Sequence, residues 1–239
     1  MPPDKKLQLF LLPFAGGSAA AFLRLTENLS PAVEAVTVEY AGRGTRAREP
    51  LAEDFSALLE DATNYIRRRR RAELPYALFG YSMGSLLAWE LAAQERIGGK
   101  LEWLFLAAEV SPVEQTLSLR QSEAPTDEWI FSQVERFGGL DERIMSNPRF
   151  AKIYMRPMLS DFRRFCEYRF HDPGHRLKTD ATIFYCDRDT PRQHVEKWRE
   201  LIDGTVDLHE FGDNHFFINR FYREMAEIMN ARLAERLEL

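Results

Sequence analysis

The 239-residue chain has only two cysteines, Cys166 and Cys186. Two cysteines cannot build the disulfide framework that supports small secreted folds, and they are consistent with a reducing compartment. The sequence also lacks an apolar run of about 18 residues, which a membrane-spanning helix needs. Residues 1–6 lack the apolar core of a signal peptide. We therefore expect a soluble, cytoplasmic protein with no membrane partner.

Positive charge is not in excess, since 32 Lys and Arg stand against 37 Asp and Glu, a formal net charge of −5. Proteins that bind nucleic acids usually carry a basic surface, so we expect no nucleic-acid partner. Two closely spaced histidines, His171 and His175, flank Pro173-Gly174, where the helical spacing of metal ligands cannot apply. We expect neither a metal nor a cofactor.

Apolar segments of strand length alternate with helical patterns along most of the chain, and hydrophobic residues make up 45% of it. This alternation predicts an α/β protein with a mostly parallel central sheet flanked by helices. It stops between residues 110 and 181, which indicates an insertion. We expect a single domain, residues 1–239, with a helical lid insertion at about 111–170. Strands are predicted at residues 6–13, 33–40, 76–79, 101–110, 181–186 and 206–211.

The segment Gly80-Tyr81-Ser82-Met83-Gly84 has the pattern G-x-S-x-G and lies between a predicted strand and a predicted helix. In that setting the pattern is typical of a nucleophile elbow, although alone it also occurs in flexible turns. The glycines leave room for the adjacent strand and helix, and the turn holds the Ser82 hydroxyl clear of the sheet. The Met83 amide would begin the helix and face developing negative charge.

A serine nucleophile needs an imidazole to accept its proton and a carboxylate to orient that imidazole. His194 falls in a predicted helix and His209 in a predicted strand, so we interpret both as structural or exposed. Only His215 follows the last strand in a loop, as the order Ser, Asp, His requires. Asp187 and Asp189 both follow the preceding strand. We favour Asp189 as the orienting carboxylate and interpret Asp187 as a turn-forming residue.

The turn after the first strand predicts a second oxyanion donor, with the Ala15 amide beside that of Met83. The insertion is rich in aromatic and methionine side chains, and its helix from Pro148 carries Pro157, which should kink or break it. Most of these side chains would fasten the insertion to the body, whereas a few would line a channel for an apolar chain. The expected substrate-binding and lid residues are Phe14, Met145, Met155, Met158 and Phe162.

Five consecutive arginines, residues 67–71, end a predicted amphipathic helix that starts near Glu53. The favoured interpretation is a solvated helix end whose cations suit the helix dipole. The alternative is a docking site for an acidic protein partner.

Several segments, in family order, resemble motifs of type II thioesterases, the stand-alone editing hydrolases of polyketide and non-ribosomal peptide assembly lines. The resemblance implies an α/β-hydrolase fold and a thioester substrate held on the phosphopantetheine arm of a carrier protein. It also implies removal of wrong or stalled acyl groups through an acyl-serine intermediate. Tyr81 stands where the family usually has histidine, a side chain that need not touch the reaction. The segments are Pro13-Phe14-Ala15-Gly16-Gly17-Ser18, Tyr40-Ala41-Gly42-Arg43-Gly44, Gly80-Tyr81-Ser82-Met83-Gly84, Arg156-Pro157-Met158-Leu159-Ser160-Asp161-Phe162 and His215-Phe216-Phe217.

Other functions stay open at this point. The chain is a candidate for a thioesterase that ends medium-chain fatty-acid synthesis, or for a small-ester hydrolase. A non-catalytic carrier-protein adaptor that kept the fold is a third interpretation. For each of these we expect a monomer.

Overall fold

The computed structural model describes residues 5–119, 125–138 and 148–237. Its strands form a six-stranded sheet in the order β2-β1-β3-β4-β5-β6, and every neighbouring pair is parallel. The predicted parallel sheet is therefore confirmed. The strands are β1 Leu7–Leu12, β2 Val33–Thr37, β3 Tyr76–Tyr81, β4 Leu101–Ala107, β5 Asp180–Tyr185 and β6 Val206–Glu210.

Helices cover both faces of this sheet. They are α1 Leu23–Thr26, α2 Phe55–Arg67, α3 Met83–Ala93, α4 Pro112–Leu119, α5 Asp127–Arg136, α6 Pro148–Glu167, α7 Arg192–Val195, α8 Trp198–Leu201 and α9 Ile218–Leu237, with short 3-10 turns at Ala19–Phe22 and Gly44–Arg46. None of the helices formed by the described residues is long and apolar enough to cross a membrane.

The core forms two layers because successive side chains of a strand point to opposite faces. Phe10, Leu78 and Leu104 pack with the helices on one face, which include α2 and α3. Their neighbours in sequence, such as Leu9 and Phe79, pack on the other face with α9. Strands buried on both faces explain why the strand sequences are continuous apolar runs rather than alternating ones.

The described residues between β4 and β5 form α4, α5 and α6, where the sequence predicts a helical lid insertion. Thr126 caps α5, since its hydroxyl accepts a hydrogen bond from the Trp129 amide at 3.2 Å. A separate apolar cluster joins α5 to α6, with Ile130 and Val134 on one side. The helix α6 continues past Pro157 to Glu167. This segment thus has a small apolar cluster of its own beside the carboxyl ends of the strands.

Candidate active site

The backbone at Ser82 adopts φ 53° and ψ −122°, a conformation that non-glycine residues rarely take. This strained turn connects β3 directly to α3. A Cβ at Gly84 would overlap the carbonyl oxygen of Leu12, and a Cβ at Gly80 would overlap the backbone of Gly84. The Ser82 amide donates to the Ala107 carbonyl at 2.7 Å, which anchors the turn to β4. Only glycines at both positions allow this approach of α3 to the sheet.

The carboxylate and the imidazole predicted to act together are in contact. Asp189 follows β5 and His215 follows β6, and Asp189 Oδ2 lies 2.6 Å from His215 Nδ1. Both side chains are largely buried. Asp187 has a different contact, because its Oδ1 accepts a hydrogen bond from the Arg192 amide at 2.8 Å at the start of α7. The structure therefore separates the two aspartates that the sequence left as alternatives.

Ser82, Asp189 and His215 line one cavity of about 680 Å³ at the carboxyl ends of the strands. Among the residues that the structure describes, no direct hydrogen bond joins the Ser82 hydroxyl to the His215 ring. Such contacts are often long in the absence of substrate and tighten when it binds. The cavity therefore brings together all three predicted catalytic residues.

Tyr81 fixes the backbone of the histidine loop. It is fully buried, and its hydroxyl donates to the His215 carbonyl oxygen at 2.6 Å. Burial raises the pKa of Tyr81 well above its usual value, so the hydroxyl stays a donor. The Phe137 ring, at the end of α5, lies 4.7 Å from the His215 ring between centroids. The sequence alone indicates no role near the histidine for either residue.

Two backbone amides are available for an oxyanion. Met83 and Ala15 both line the cavity with Ser82. Met83 is the first residue of α3, and an amide at that position has no acceptor within its own helix. Ala15 lies in the turn after β1, where Gly16 has φ +77° and its amide donates to Asp161 Oδ2 at 2.8 Å. A hydrogen bond to Asp161 of α6 thus fixes the turn that carries Ala15.

A buried ion pair between Arg43 and Asp161 braces this turn. Arg43 Nη2 lies 2.8 Å from Asp161 Oδ1, and a second contact joins Nη1 to Oδ2. The two side chains are 5% and 3% exposed, so water contributes little to their solvation. Arg43 also donates to the Gly17 carbonyl at 3.4 Å. This ion pair therefore connects three parts of the chain: the loop after β1, the loop after β2 and helix α6.

Removing one partner of this pair should strongly destabilise the protein. Asp161→Ala leaves the Arg43 guanidinium buried without its counter-charge, and we expect a loss of about 3–5 kcal/mol in the free energy of unfolding. Urea denaturation followed by circular dichroism measures the loss. As a matched control, Glu60→Ala breaks the exposed Arg96–Glu60 pair and should cost below about 1 kcal/mol.

The double variant Arg43→Met/Asp161→Leu removes both charges and should recover most of that stability, because the loss in the single variant comes from the uncompensated charge. A double variant no more stable than Asp161→Ala would contradict this explanation.

The side chains that line the cavity are mainly apolar. Of the predicted substrate-binding residues, Phe14, Met158 and Phe162 line it. Met155 does not line it, although it packs in the same cluster between α5 and α6 as Met158 and Phe162. Met145 lies outside the described residues. Further apolar side chains in the wall are Trp129, Val134, Phe137, Phe165 and Phe216.

The cavity wall also contains polar side chains that the sequence pattern does not place there. Glu109 and Glu114 both line it, and so does His194, which was interpreted as structural or exposed. The His194 Nδ1 atom lies 2.5 Å from Glu114 Oε2. No group of three or more potential metal ligands occurs among the described residues.

The arginine run lies at the opposite edge of the sheet from Ser82. Arg70 donates to the side chain of Gln8, near the start of β1, and Arg71 pairs with Glu34 at 3.1 Å, near the start of β2. In a parallel sheet the first residues of all strands lie at the same edge. At about 3.3 Å per residue, the length of β3 places this edge about 17 Å from the edge where the strands end. This position favours the helix-end interpretation over a docking site beside the cavity.

The chain matches a family model described as "Thioesterase domain" over residues 7–233. The relative named Thioesterase PikA5, from Streptomyces venezuelae, is 29% identical over 238 residues, which cover 97% of this chain and 82% of the relative. Thioesterase TesA from Mycobacterium marinum is 29% identical over 228 residues, 93% of this chain and 90% of the relative.

A solved thioesterase structure is also similar to this chain in its three-dimensional fold. The type II thioesterase BorB from the borrelidin biosynthetic cluster superposes with a TM-score of 0.81 at 28% identity, covering 97% of this chain and 95% of that chain. Its fold matches the sheet and helices described above. The family match spans nearly the whole sequence, and the chain belongs to the thioesterase domain family.

Proposed function

We propose that this thioesterase hydrolyses acyl thioesters held on the phosphopantetheine arm of carrier proteins, as an editing enzyme of a polyketide or non-ribosomal peptide pathway. The observation that supports it most is the Asp189–His215 contact inside a cavity that Ser82 also lines. The similarity to a type II thioesterase of a biosynthetic cluster supports the choice of substrate class.

In the proposed reaction the Ser82 hydroxyl attacks the thioester carbonyl carbon while His215 Nε2 accepts its proton. Asp189 at Nδ1 keeps the imidazole in the tautomer that can accept this proton and stabilises the imidazolium that forms. The amides of Ala15 and Met83 stabilise the negative charge on the carbonyl oxygen. The carbon–sulfur bond then breaks, and the leaving thiolate takes the proton from His215.

The acyl-Ser82 ester is hydrolysed by the same groups in reverse order. His215 removes a proton from water, the hydroxide adds to the ester carbon, and the Ser82 oxygen leaves with the proton from His215. The products are the free acid, the carrier thiol and the original enzyme. No further reagent is needed.

The helices α5 and α6 form the proposed lid. Together with the loops of the sheet they enclose a cavity whose volume suits a small or medium acyl group. The carrier protein would dock outside this lid, at the carboxyl edge of the sheet, so that its arm reaches Ser82. This placement does not require the arginine run.

The test is an assay on a carrier protein loaded with acyl groups of different lengths, followed by mass spectrometry. We expect loss of the acyl mass with active enzyme and its retention when a fluorophosphonate has first been attached to Ser82. Retention with untreated enzyme would refute the proposal. A sharp preference for long chains, or for esters over thioesters, would favour the alternative hydrolases. Failure of the fluorophosphonate to label Ser82 would favour a non-catalytic adaptor.

A further inference from the structure

Glu109 places a carboxyl group in the wall of the cavity, next to the elbow. The residue before it, Ala108, has φ 53°, a left-handed conformation that turns the chain sharply as β4 ends. Ala107, one residue earlier, accepts the hydrogen bond from the Ser82 amide. Glu109 is only 4% exposed, and it lines the same cavity as Ser82. Glu109 therefore lies in the wall of the cavity that Ser82, Asp189 and His215 also line.

The position of this side chain is well defined by its contacts. Glu109 Oε1 accepts a hydrogen bond from the Val110 amide at 3.0 Å, and its backbone carbonyl accepts one from the Trp198 indole at 3.3 Å. Within the part of the chain that the structure describes, Oε2 has no hydrogen-bond partner. Oε2 is therefore free to bond to a ligand, and a ligand that supplies the matching polar group should bind better than one that does not.

The environment of this carboxyl group favours its protonated form. Burial, and then the charge of Asp189, raise the pKa of Glu109 well above its usual value. Tyr168 also lies near it, and that phenol is held by the Glu90 carboxylate at 2.7 Å. Because Oε1 accepts the Val110 amide, the acid proton belongs on Oε2. In its protonated form Glu109 thus offers a hydroxyl donor whose acceptor comes from solvent or substrate.

We propose that Glu109 forms a subsite for acyl groups that carry a hydrogen-bond-accepting oxygen close to the thioester, such as 3-hydroxyacyl and 3-oxoacyl groups. The inference rests on the proposed function and adds a substrate class to it. The oxygen of such an acyl group accepts the hydrogen bond from Glu109 Oε2, while its remaining carbons contact the apolar wall. A plain alkyl group would leave the donor unpaired.

A substrate with an ammonium group is the main alternative ligand. It would require Glu109 as a carboxylate, and burial, together with the negative charge of Asp189, opposes that ionisation. The other carboxylate in the wall, that of Glu114, already contacts His194. A neutral oxygen acceptor therefore fits the subsite better than a cation does.

The experiment compares butyryl, 3-hydroxybutyryl (each enantiomer) and 3-aminobutyryl groups on one carrier protein, with kcat/KM measured for each. For the wild type we expect at least one 3-hydroxybutyryl enantiomer to exceed butyryl by roughly 10-fold or more. Glu109→Gln should keep this ratio, because a glutamine amide has the same acceptor and donor as a protonated carboxyl group. Glu109→Leu should lower the ratio to about 1, because leucine has no donor.

Equal kcat/KM for butyryl and both 3-hydroxybutyryl enantiomers in the wild type would overturn the inference, whether or not the variants fold. Retention of the preference in folded Glu109→Leu would also overturn it, as would a preference for 3-aminobutyryl that Glu109→Gln abolishes. Hydrolysis of butyryl without any preference would leave the proposed function intact. Hydrolysis of none of these four-carbon groups would overturn the inference, and the assay with acyl groups of different lengths would then decide the proposed function.

Discussion

Ser82→Ala should lower kcat/KM for an acyl-carrier thioester by about 10⁴- to 10⁶-fold, because the variant has no oxygen to form the acyl-enzyme. The residual rate would come from the oxyanion donors and from binding alone. Intact-protein mass spectrometry adds a second readout, since only the wild type should gain the acyl mass on a slowly hydrolysed substrate. A Ser82→Ala enzyme with more than a tenth of wild-type activity would contradict the proposed nucleophile.

Ser85 provides a matched control within the same elbow. Its hydroxyl is fully buried and lies 2.9 Å from the carbonyl oxygens of both Gly80 and Ala107, and it accepts the Ala107 amide at 3.1 Å. Ser85→Ala should therefore reduce the free energy of unfolding by about 1–3 kcal/mol. The folded variant should retain kcat/KM within about 10-fold, since the lost contacts are structural. A loss as large as that of Ser82→Ala would show that the elbow geometry, and not the nucleophile, had been tested.

The sheet and the elbow were predictable because their signals are local. The apolar runs of β1 and β3 are short, continuous and bounded by turns, as buried parallel strands require. The two glycines around Ser82 sit where any Cβ would overlap the backbone of β1 or α3. Such constraints act on single positions, and a single sequence can therefore reveal them.

Contacts between distant parts of the chain could not be predicted in the same way. Arg43 and Asp161 are 118 positions apart, and Tyr81 and His215 are 134 apart. Nothing in the local pattern of either segment indicates the other. All four residues occur in recognisable motifs, but those motifs predict a role only for His215.

Helical periodicity in the sequence also cannot show which of two residues on the same helix face lines the cavity. Met155 and Met158 are three positions apart on α6 and share its apolar face, yet of these two only Met158 lines the cavity.

The position of the arginine run, in contrast, could have been predicted from the order of helices and strands. A helix end that leads into the next parallel strand must lie at the edge where strands start, opposite the loops that carry Ser82, Asp189 and His215. That rule alone argues against a docking site beside Ser82.

Asp189→Asn should lower kcat/KM by about 10⁴-fold, whereas Asp187→Asn should leave it within about 3-fold. Asparagine at position 189 can offer its NH₂ group to His215 Nδ1, and the imidazole would then carry its proton on Nε2, the atom that must accept the Ser82 proton. Asp187 caps the start of α7 through the Arg192 amide, so its replacement should cost below about 1 kcal/mol of stability. Steady-state kinetics on the same acyl-carrier substrate, with thermal unfolding of both variants, measures the two effects separately. Equal losses of activity would show that the loop after β5 acts as a unit, and a larger loss at position 187 would reassign the carboxylate.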